Sequence, residues 1–376
     1  MKKMFFMAAI AGVALASCAK NEVETPEQDI ITFAEPVMAV QTKATEIIGN
    51  YPQSKHFSVF ANYFTGNYTT LADGTPYMQD VETAYSSAVN GWDPAAVTNG
   101  VNYYWPKQGT LTFAAYSPSS VEATYDKSGI HFTDFTVPAS AAAQYDLLFS
   151  ERSYNQSRET MKWESDPYKG TQIQFNHALS SIIFNAKTDK DYSKDNFYIT
   201  IKQIQVKNIY STATFNQNLS DSNGATTSAT WEGWSDHKGE TTYTAFEGSQ
   251  RLTNENAIMD IDKISAGEAS DIKDVYNSHL ILLPQYLSGA KLYVKYTISN
   301  YNVDTDATAE GVQPAVISQD ATIELATSKV DSWFRGKRYT YNITFGLDKI
   351  YFDPVVTEWV NVDGGSFTVG NTNQSK

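Results

Sequence analysis

A single cysteine, Cys18, and five histidines, His56, His131, His177, His237 and His279, are the side chains in this sequence best suited to nucleophilic, acid–base or metal chemistry. A thiolate attacks electrophiles and ligates metals. With one cysteine, however, no disulfide forms within the chain, no cysteine metal site is built, and no thiol remains in the body beyond position 18. The histidines are far apart and never adopt a short ligand spacing such as HExxH. His177 in QFNHALSSIIF lies amid apolar residues, where a histidine satisfied by hydrogen bonds is the simpler reading than a ligand. No GxSxG elbow, Walker loop or GxGxxG follows a strand-like run. Asp304 and Asp306 in NVDTDATAE pair two carboxylates, but a calcium loop wants glycine at its sixth position and Ala309 stands there, so an exposed acidic loop is expected. These residues predict no catalytic centre, no metal and no cofactor.

The position of Cys18 gives its chemistry a context. Lys2 and Lys3 precede an apolar run over residues 4–16, too short for the roughly 20 residues of a membrane-spanning helix and right for a secretory signal. The run ends in Leu15-Ala16-Ser17-Cys18, which resembles a lipobox, where small residues admit the signal peptidase and the thiol takes a diacylglycerol. A signal peptide over residues 1–17 and lipid on Cys18 are therefore expected. Residues 18–29 read as an acidic tether, poor in apolar side chains. The formal net charge of −14 leaves no electrostatic footprint for nucleic acid. No run of Lys or Arg grips anionic lipid either, so membrane contact rests on the acyl chain.

The body that follows is patterned for strands. Aromatics make up 13% of the sequence and charged residues only 19%, a balance that favours β structure. Apolar residues alternate at Phe57, Val59, Ala61 and Tyr63, at Leu111, Phe113 and Ala115, at Leu292, Val294, Tyr296 and Ile298, and at Tyr339, Tyr341, Ile343 and Phe345. A period of two predicts half-buried strands of the antiparallel kind. Phe197, Ile199 and Ile201 share one phase and Ile204 and Val206 the other, which predicts a bulge near Lys202-Gln203. Asp73-Gly74, Asn99-Gly100, Ser128-Gly129 and Asn223-Gly224 supply turns. The one short helix that the pattern allows is in SAGEASDIKDVY, residues 265–276. The length exceeds one ordinary sandwich, and the polar stretch over residues 150–170 interrupts the strand rhythm. An all-β chain of two β-sandwich domains, residues 30–160 and 161–376, is the expectation.

Trp92, Tyr103, Tyr104 and Trp105 in GWDPAAVTNGVNYYWP raise a further possibility, since exposed ring faces stack on sugars. A surface glycan-binding lipoprotein of a polysaccharide-uptake system would share the lipid and the β domains. A core filled by aromatics explains the same residues and is preferred.

Several segments together resemble the fimbrillin family of Bacteroidales. They are the lipobox, ITFAEPVMAVQTKAT with Thr42-Lys43-Ala44, FSVFANYF, the YYWP…LTFAAYSP pair, YDLLFSE, IQFNHALSSIIF, LILLPQYL and the closing WFRGKRYTYNITF…DPVVTEWV. The resemblance implies two tandem transthyretin-like domains and a structural role in a surface fimbrium, supporting adhesion. The resemblance further implies an outer-membrane lipoprotein at the cell surface or in the fimbrium, with other fimbrial subunits, the outer membrane through lipid on Cys18, and host or bacterial surface ligands as partners. It also implies assembly by β-strand addition, in which a protease removes the lipidated leader with the first strand and the vacated groove takes a strand from a neighbour. Stalk subunits of the family are cut after arginine, yet no arginine occurs between Cys18 and Arg152. Lys43, with Ala44 after it, is the basic candidate processing site; a chain never cut there would keep its lipid as an anchor or accessory subunit. Phe367 and Val369, alternating behind Gly364-Gly365, are the candidate donor strand, although a final edge strand of the same domain would have the same pattern.

Overall fold

The computed structural model describes residues 30–38, 51–160, 170–219, 233–255, 279–301, 315–347 and 350–358. Cys18, Lys43, Ala44, Phe367 and Val369 lie outside the described residues, as do the acidic loop with Asp304, Asp306 and Ala309, the turn Asn223-Gly224 and residues 265–276.

The described chain is all-β. Its strands are β1 (Val37–Met38), β2 (Phe57–Phe64), β3 (Thr75–Ser86), β4 (Gly91–Asp93), β5 (Thr110–Ser117), β6 (Thr124–Asp126), β7 (Gly129–Thr136), β8 (Leu148–Ser150), β9 (Ser153–Gln156) and β10 (Gln174–His177). They continue with β11 (Ser180–Thr188), β12 (Tyr198–Asn216), β13 (Trp234–Arg251), β14 (His279–Leu282), β15 (Gln285–Tyr286), β16 (Lys291–Ser299), β17 (Val316–Glu324), β18 (Ser332–Trp333), β19 (Lys337–Phe345) and β20 (Ile350–Glu358). The alternating runs of the sequence become β2, β5, β16 and β19. One expectation needs correcting: β19 is antiparallel to β20 but parallel to β11, so that run does not pair wholly in the antiparallel manner. Apolar alternation reports which face is buried and carries no information on the direction of the neighbour.

The first sheet runs β1-β10-β8-β5-β2-β3-β4, with β9 beside β5. Alternation along β2 and β5 sends their side chains to two different cores. Phe57, Val59, Ala61, Leu111, Phe113 and Ala115 enter one, and Phe60, Ala114 and Tyr116 enter the other. Both faces are therefore covered, which is why FSVFANYF and TLTFAAYS are apolar almost throughout.

The second core is shared. One sheet runs β17-β16-β12-β7-β6 with β13 beside β12, and it faces another that runs β14-β11-β19-β20. Between them Ile182, Phe184, Tyr341, Ile343, Ile201, Ile204, Leu292 and Val294 are all but fully buried. At 19 residues β12 is long enough to serve two places. Its first half pairs with β16 in this sandwich, and its last residues pair with β7, which lies over the outer face of the first sheet. There Tyr116 meets Phe132, Phe132 meets Phe215, and Phe149 and Trp234 close on Phe215, with ring centroids 4.8–5.7 Å apart. Strand pairing thus crosses position 160 three times, from β1 to β10, from β7 to β12 and from β8 to β10.

Arg152 holds the β6–β7 hairpin to the first sheet. Its guanidinium is buried, donates to the hydroxyls of Tyr125 and Tyr68 and to the carbonyls of Asp126 and Lys127, and stacks over both tyrosine rings. Five fixed donors suit such a cluster of oxygen acceptors as no lysine does. Beside it, burial pushes the Glu151 carboxyl above its ordinary range, against the opposing field of Arg335 and Arg152.

The expected bulge in β12 is present. Register shifts between Ile201 and Gln203 against both β13 and β16, leaving Lys202 as the extra residue. The insertion lets Ile199, Ile201, Ile204 and Val206 all reach the core despite the change of phase. Phe197, grouped with that face in the sequence, instead lies just before the strand and is exposed. Deleting Lys202 is expected to turn one half of the apolar set outward and to cost on the order of 4 kcal/mol or more, whereas Lys202→Ala stays within about 1 kcal/mol. Urea denaturation of the two variants checks the contrast.

Candidate functional site

The first described segment, residues 30–38, occupies the gap between the two ends of the first sheet. On one side the Ile31 amide donates to the Tyr103 carbonyl at 2.7 Å, and Phe33 and Trp92 exchange amide-to-carbonyl bonds, both 2.8 Å. On the other side Ala34 donates to Thr171 at 3.0 Å, Thr171 donates to Thr32 at 2.9 Å, and Val37 donates to Ile173 at 2.9 Å. Phe33 bridges antiparallel to Trp92 and parallel to Thr171, and β1 continues parallel to β10. The segment therefore closes the sheet on itself, and the curled sheet encloses the first core.

The sequence ITFAEP explains the fit. Ile31, Thr32, Phe33, Ala34 and Pro36 are buried, while Val37 emerges at 45% exposure. Phe33 packs edge-on against Phe57 and Phe113, at centroid distances of 5.7 and 5.5 Å. Tyr51 packs into the same core against Phe57, Trp92 and Phe175. Its hydroxyl bonds Ser117 Oγ at 2.7 Å and donates to the His56 carbonyl, and burial pushes its phenol well above the ordinary range. Burial of Ile31 and of Phe33 is worth about 1.5–3 kcal/mol each, and each of the six backbone bonds adds about 1 kcal/mol net.

Gly170 makes the close approach possible. Its φ of +127° is closed to most side chains, and a Cβ there would stand 2.5 Å from the Thr32 carbonyl oxygen. Gln172 Nε2 donates to the Glu35 carbonyl at 2.6 Å and ties the next turn of the segment to the same wall.

Of the aromatics that suggested sugar stacking, Trp92 and Trp105 are buried at 1% and 6% exposure, Tyr103 is half-buried, and Tyr104 is exposed at 47%. Trp92 donates its indole N–H to the Lys55 carbonyl and is edged by Tyr51 and Tyr85. This cluster forms the wall of the closed sheet and presents no flat exposed platform of three rings. The histidines are dispersed structurally as well: His56 meets Glu82, His131 meets Asp126 and Asn216, and His177 Nδ1 meets Asp146 at 2.7 Å. Among the described residues no three His, Cys, Asp or Glu side chains converge in a metal-binding group.

A family model described as fimbrillin-like matches residues 42–359. Among solved structures, a fimbrial protein from Bacteroides vulgatus ATCC 8482 is similar in fold, with a TM-score of 0.50 at 15% identity over 88% of this chain and 100% of that one. A candidate cell adhesion protein from Bacteroides uniformis ATCC 8492 aligns with a TM-score of 0.47 at 15% identity over 88% and 99% of the two chains. A third, a candidate cell adhesion protein from Bacteroides ovatus ATCC 8483, aligns at 0.46 and 14% identity over 89% and 99%. Comparison with curated proteins finds no match.

The geometry predicts that Gly170→Val, which combines a forbidden backbone angle with a clash on the closing segment, destabilises the chain by about 3 kcal/mol or more. Phe33→Ala is expected to cost about 3–5 kcal/mol. Chemical denaturation followed by the fluorescence of the buried tryptophans measures both.

Proposed function

The chain belongs to the fimbrillin-like family, and on that premise we propose that it is a non-enzymatic subunit of a cell-surface fimbrium, delivered as a lipoprotein and assembled by strand addition. Residues 1–17 direct secretion, and Cys18 takes the lipid that carries the precursor to the outer membrane. Cutting between Lys43 and Ala44 then separates the lipidated leader, together with residues 30–38, from the body. The family match begins at residue 42, beside that position.

The observation that carries this reading is the double-sided hydrogen bonding of residues 30–38. A strand bonded on both sides leaves two unpaired edges when it goes. The Trp92 amide and the Trp92 and Tyr103 carbonyls would face the Thr171 amide and the Thr171 and Ile173 carbonyls across an empty slot. The pockets of Ile31 and Phe33 would open to water at the same time. Exposed edges and apolar pockets of this kind are satisfied by an incoming strand. Such a contact is head-to-tail and does not close on itself, so repetition makes a filament.

The donor we assign is the tail of a second copy. Phe367-Thr368-Val369-Gly370 repeats the character of Ile31-Thr32-Phe33-Ala34, with two large apolar residues flanking a threonine and a small residue following. In that register Phe367 enters the Ile31 pocket, Val369 enters the Phe33 pocket, and Gly370 lies where Ala34 bonds to Thr171. Adhesion to host or bacterial surfaces follows from display on the filament.

Lys43→Gln is expected to leave the leader attached and to abolish filaments, while Lys43→Arg retains both cutting and assembly. Immunoblotting of surface fractions for the high-mass ladder, with N-terminal sequencing of the monomer, reads the outcome. Normal filaments from Lys43→Gln would rule out processing at this residue.

A further inference from the structure

A sheet edge presents a row of unpaired N–H and C=O groups, which proteins guard by shortness, a proline, a bulge or a lysine. Among the described residues, most edges carry such a guard. β6, β9, β14, β15 and β18 have two to four residues. β20 contains Pro354, and β13 shifts register against β12 at four places and passes through the positive-φ residues Asp236 and Gly239. β1 and β4, the ends of the first sheet, are short and joined through Phe33. β17 differs from all of these. Its nine residues, VISQDATIE, pair one for one with β16 from Val316–Ser299 to Glu324–Lys291 without a shift. It holds no proline, lysine or arginine, and no strand lies on its other side among the described residues.

The side chains of β17 also suit a neighbour. Directly opposed residues share a face, so Ile317, Gln319, Ala321 and Ile323 form the core-side row with Ile298, Tyr296, Val294 and Leu292. Val316, Ser318, Asp320, Thr322 and Glu324 form the outer row. Ile317 is 55% exposed and Val316 47%, although Ile298, opposite Ile317, packs against the core. The two acids are compensated within the sheet, since Asp320 stands opposite Lys295 and Glu324 forms an ion pair with Lys291.

We propose that β17 is the contact through which two copies of this chain pair, antiparallel about a two-fold axis at Gln319, so that their sheets become continuous. Opposed residues must share a face, which restricts the register to axes that pass through a residue. An axis at Asp320 sets two like charges against each other. An axis at Ser318 places Val316 against Asp320, and one at Ala321 carries Val316 and Ile317 past the end of the opposing strand. With the axis at Gln319, Asp320 meets Ser318 of the second copy, Ile317 meets Ala321, and Val316 meets Thr322. Each carboxylate then faces a hydroxyl, and both exposed aliphatic side chains are covered. A two-fold contact closes on itself as a dimer, unlike the head-to-tail contact proposed above. The pairing therefore goes beyond the assembly reading and does not rest on it. Opposing residues 316–322 alone is a small interface, so separate copies pair weakly, while copies arrayed on filaments reinforce one another side by side.

Cysteine trapping in the full chain carrying Cys18→Ser tests the register, since no other thiol competes. Gln319→Cys stands opposite its own copy across the axis, about 5 Å away between Cα atoms and within disulfide reach. Thr322→Cys lies roughly 20 Å from its copy. Both positions are exposed, so neither change touches the core. Disulfide-linked dimer is expected roughly tenfold faster or more from Gln319→Cys. Equal rates, or no dimer from either variant at protein concentrations up to about 1 mM, overturn the pairing. Sedimentation of the chain without added cysteines gives a second readout. Ile317→Lys is expected to weaken the dimer about tenfold or more while leaving the urea midpoint unchanged. A dimer of undiminished affinity in that variant also overturns the proposal. The chain used keeps residues 30–38, so loss of this dimer leaves the strand-addition reading intact, and loss of filaments in Lys43→Gln leaves the dimer intact.

Discussion

The structure of the first half depends on one constraint: a curled sheet whose two ends do not meet unless residues 30–38 lie between them. β4 and β10 are far apart in sequence and share no direct pairing. Phe33 bridges to Trp92 in β4 on one side and to Thr171, just ahead of β10, on the other, and Val37 and Met38 carry the pairing into β10. The first core is organised around the same contact, because Phe33 is edged by Phe57 and Phe113 while Trp92 holds Tyr51 and Tyr85. An element that closes a sheet in this way has two properties at once. It contributes several kcal/mol to the closed sheet, and on the proposed reading its removal would leave a slot for another strand.

The other face of the first sheet is held by contacts that do not involve residues 30–38. The outer face of the first sheet is covered by β7 and the end of β12, and Phe60, Tyr116 and Phe149 belong to the core that continues into the second sandwich. Arg152 adds a polar clamp between the β6–β7 hairpin and the same sheet. These contacts are independent of residues 30–38, so the sheet keeps a backing when the closing strand is absent. The proposed assembly by strand addition calls for such an arrangement, with one face open and the other backed.

How far the sequence shows this varies by element. Strands with one buried face are legible because their apolar residues alternate, and the change of phase between Ile201 and Ile204 located the bulge at Lys202. Pairing partners are not legible: nothing in RYTYNITF distinguishes a parallel neighbour from an antiparallel one, and β12 gives no sign that its last residues leave β16 for β7. The long β13 was missed because WSDHKGETTYTAFEGSQR is mostly polar, as suits a strand exposed along much of its length. The role of residues 30–38 was half visible. The family resemblance marks ITFAEP as the first strand, but its fully buried Thr32 and its position between two sheet ends depend on contacts with Trp92 and Thr171 that no local pattern encodes. Gly170 carries no sequence signal at all, and only the approach of Thr32 gives it a purpose.

The central claim is that residues 30–38 are a temporary stave of the precursor and absent from the assembled state. The direct measurement is the intact mass of the protein recovered from fimbriae on the producing cell. A chain that begins at Ala44, with no lipid and no residues 30–38, is the predicted result. Filaments built from chains that still begin at acylated Cys18 would contradict it.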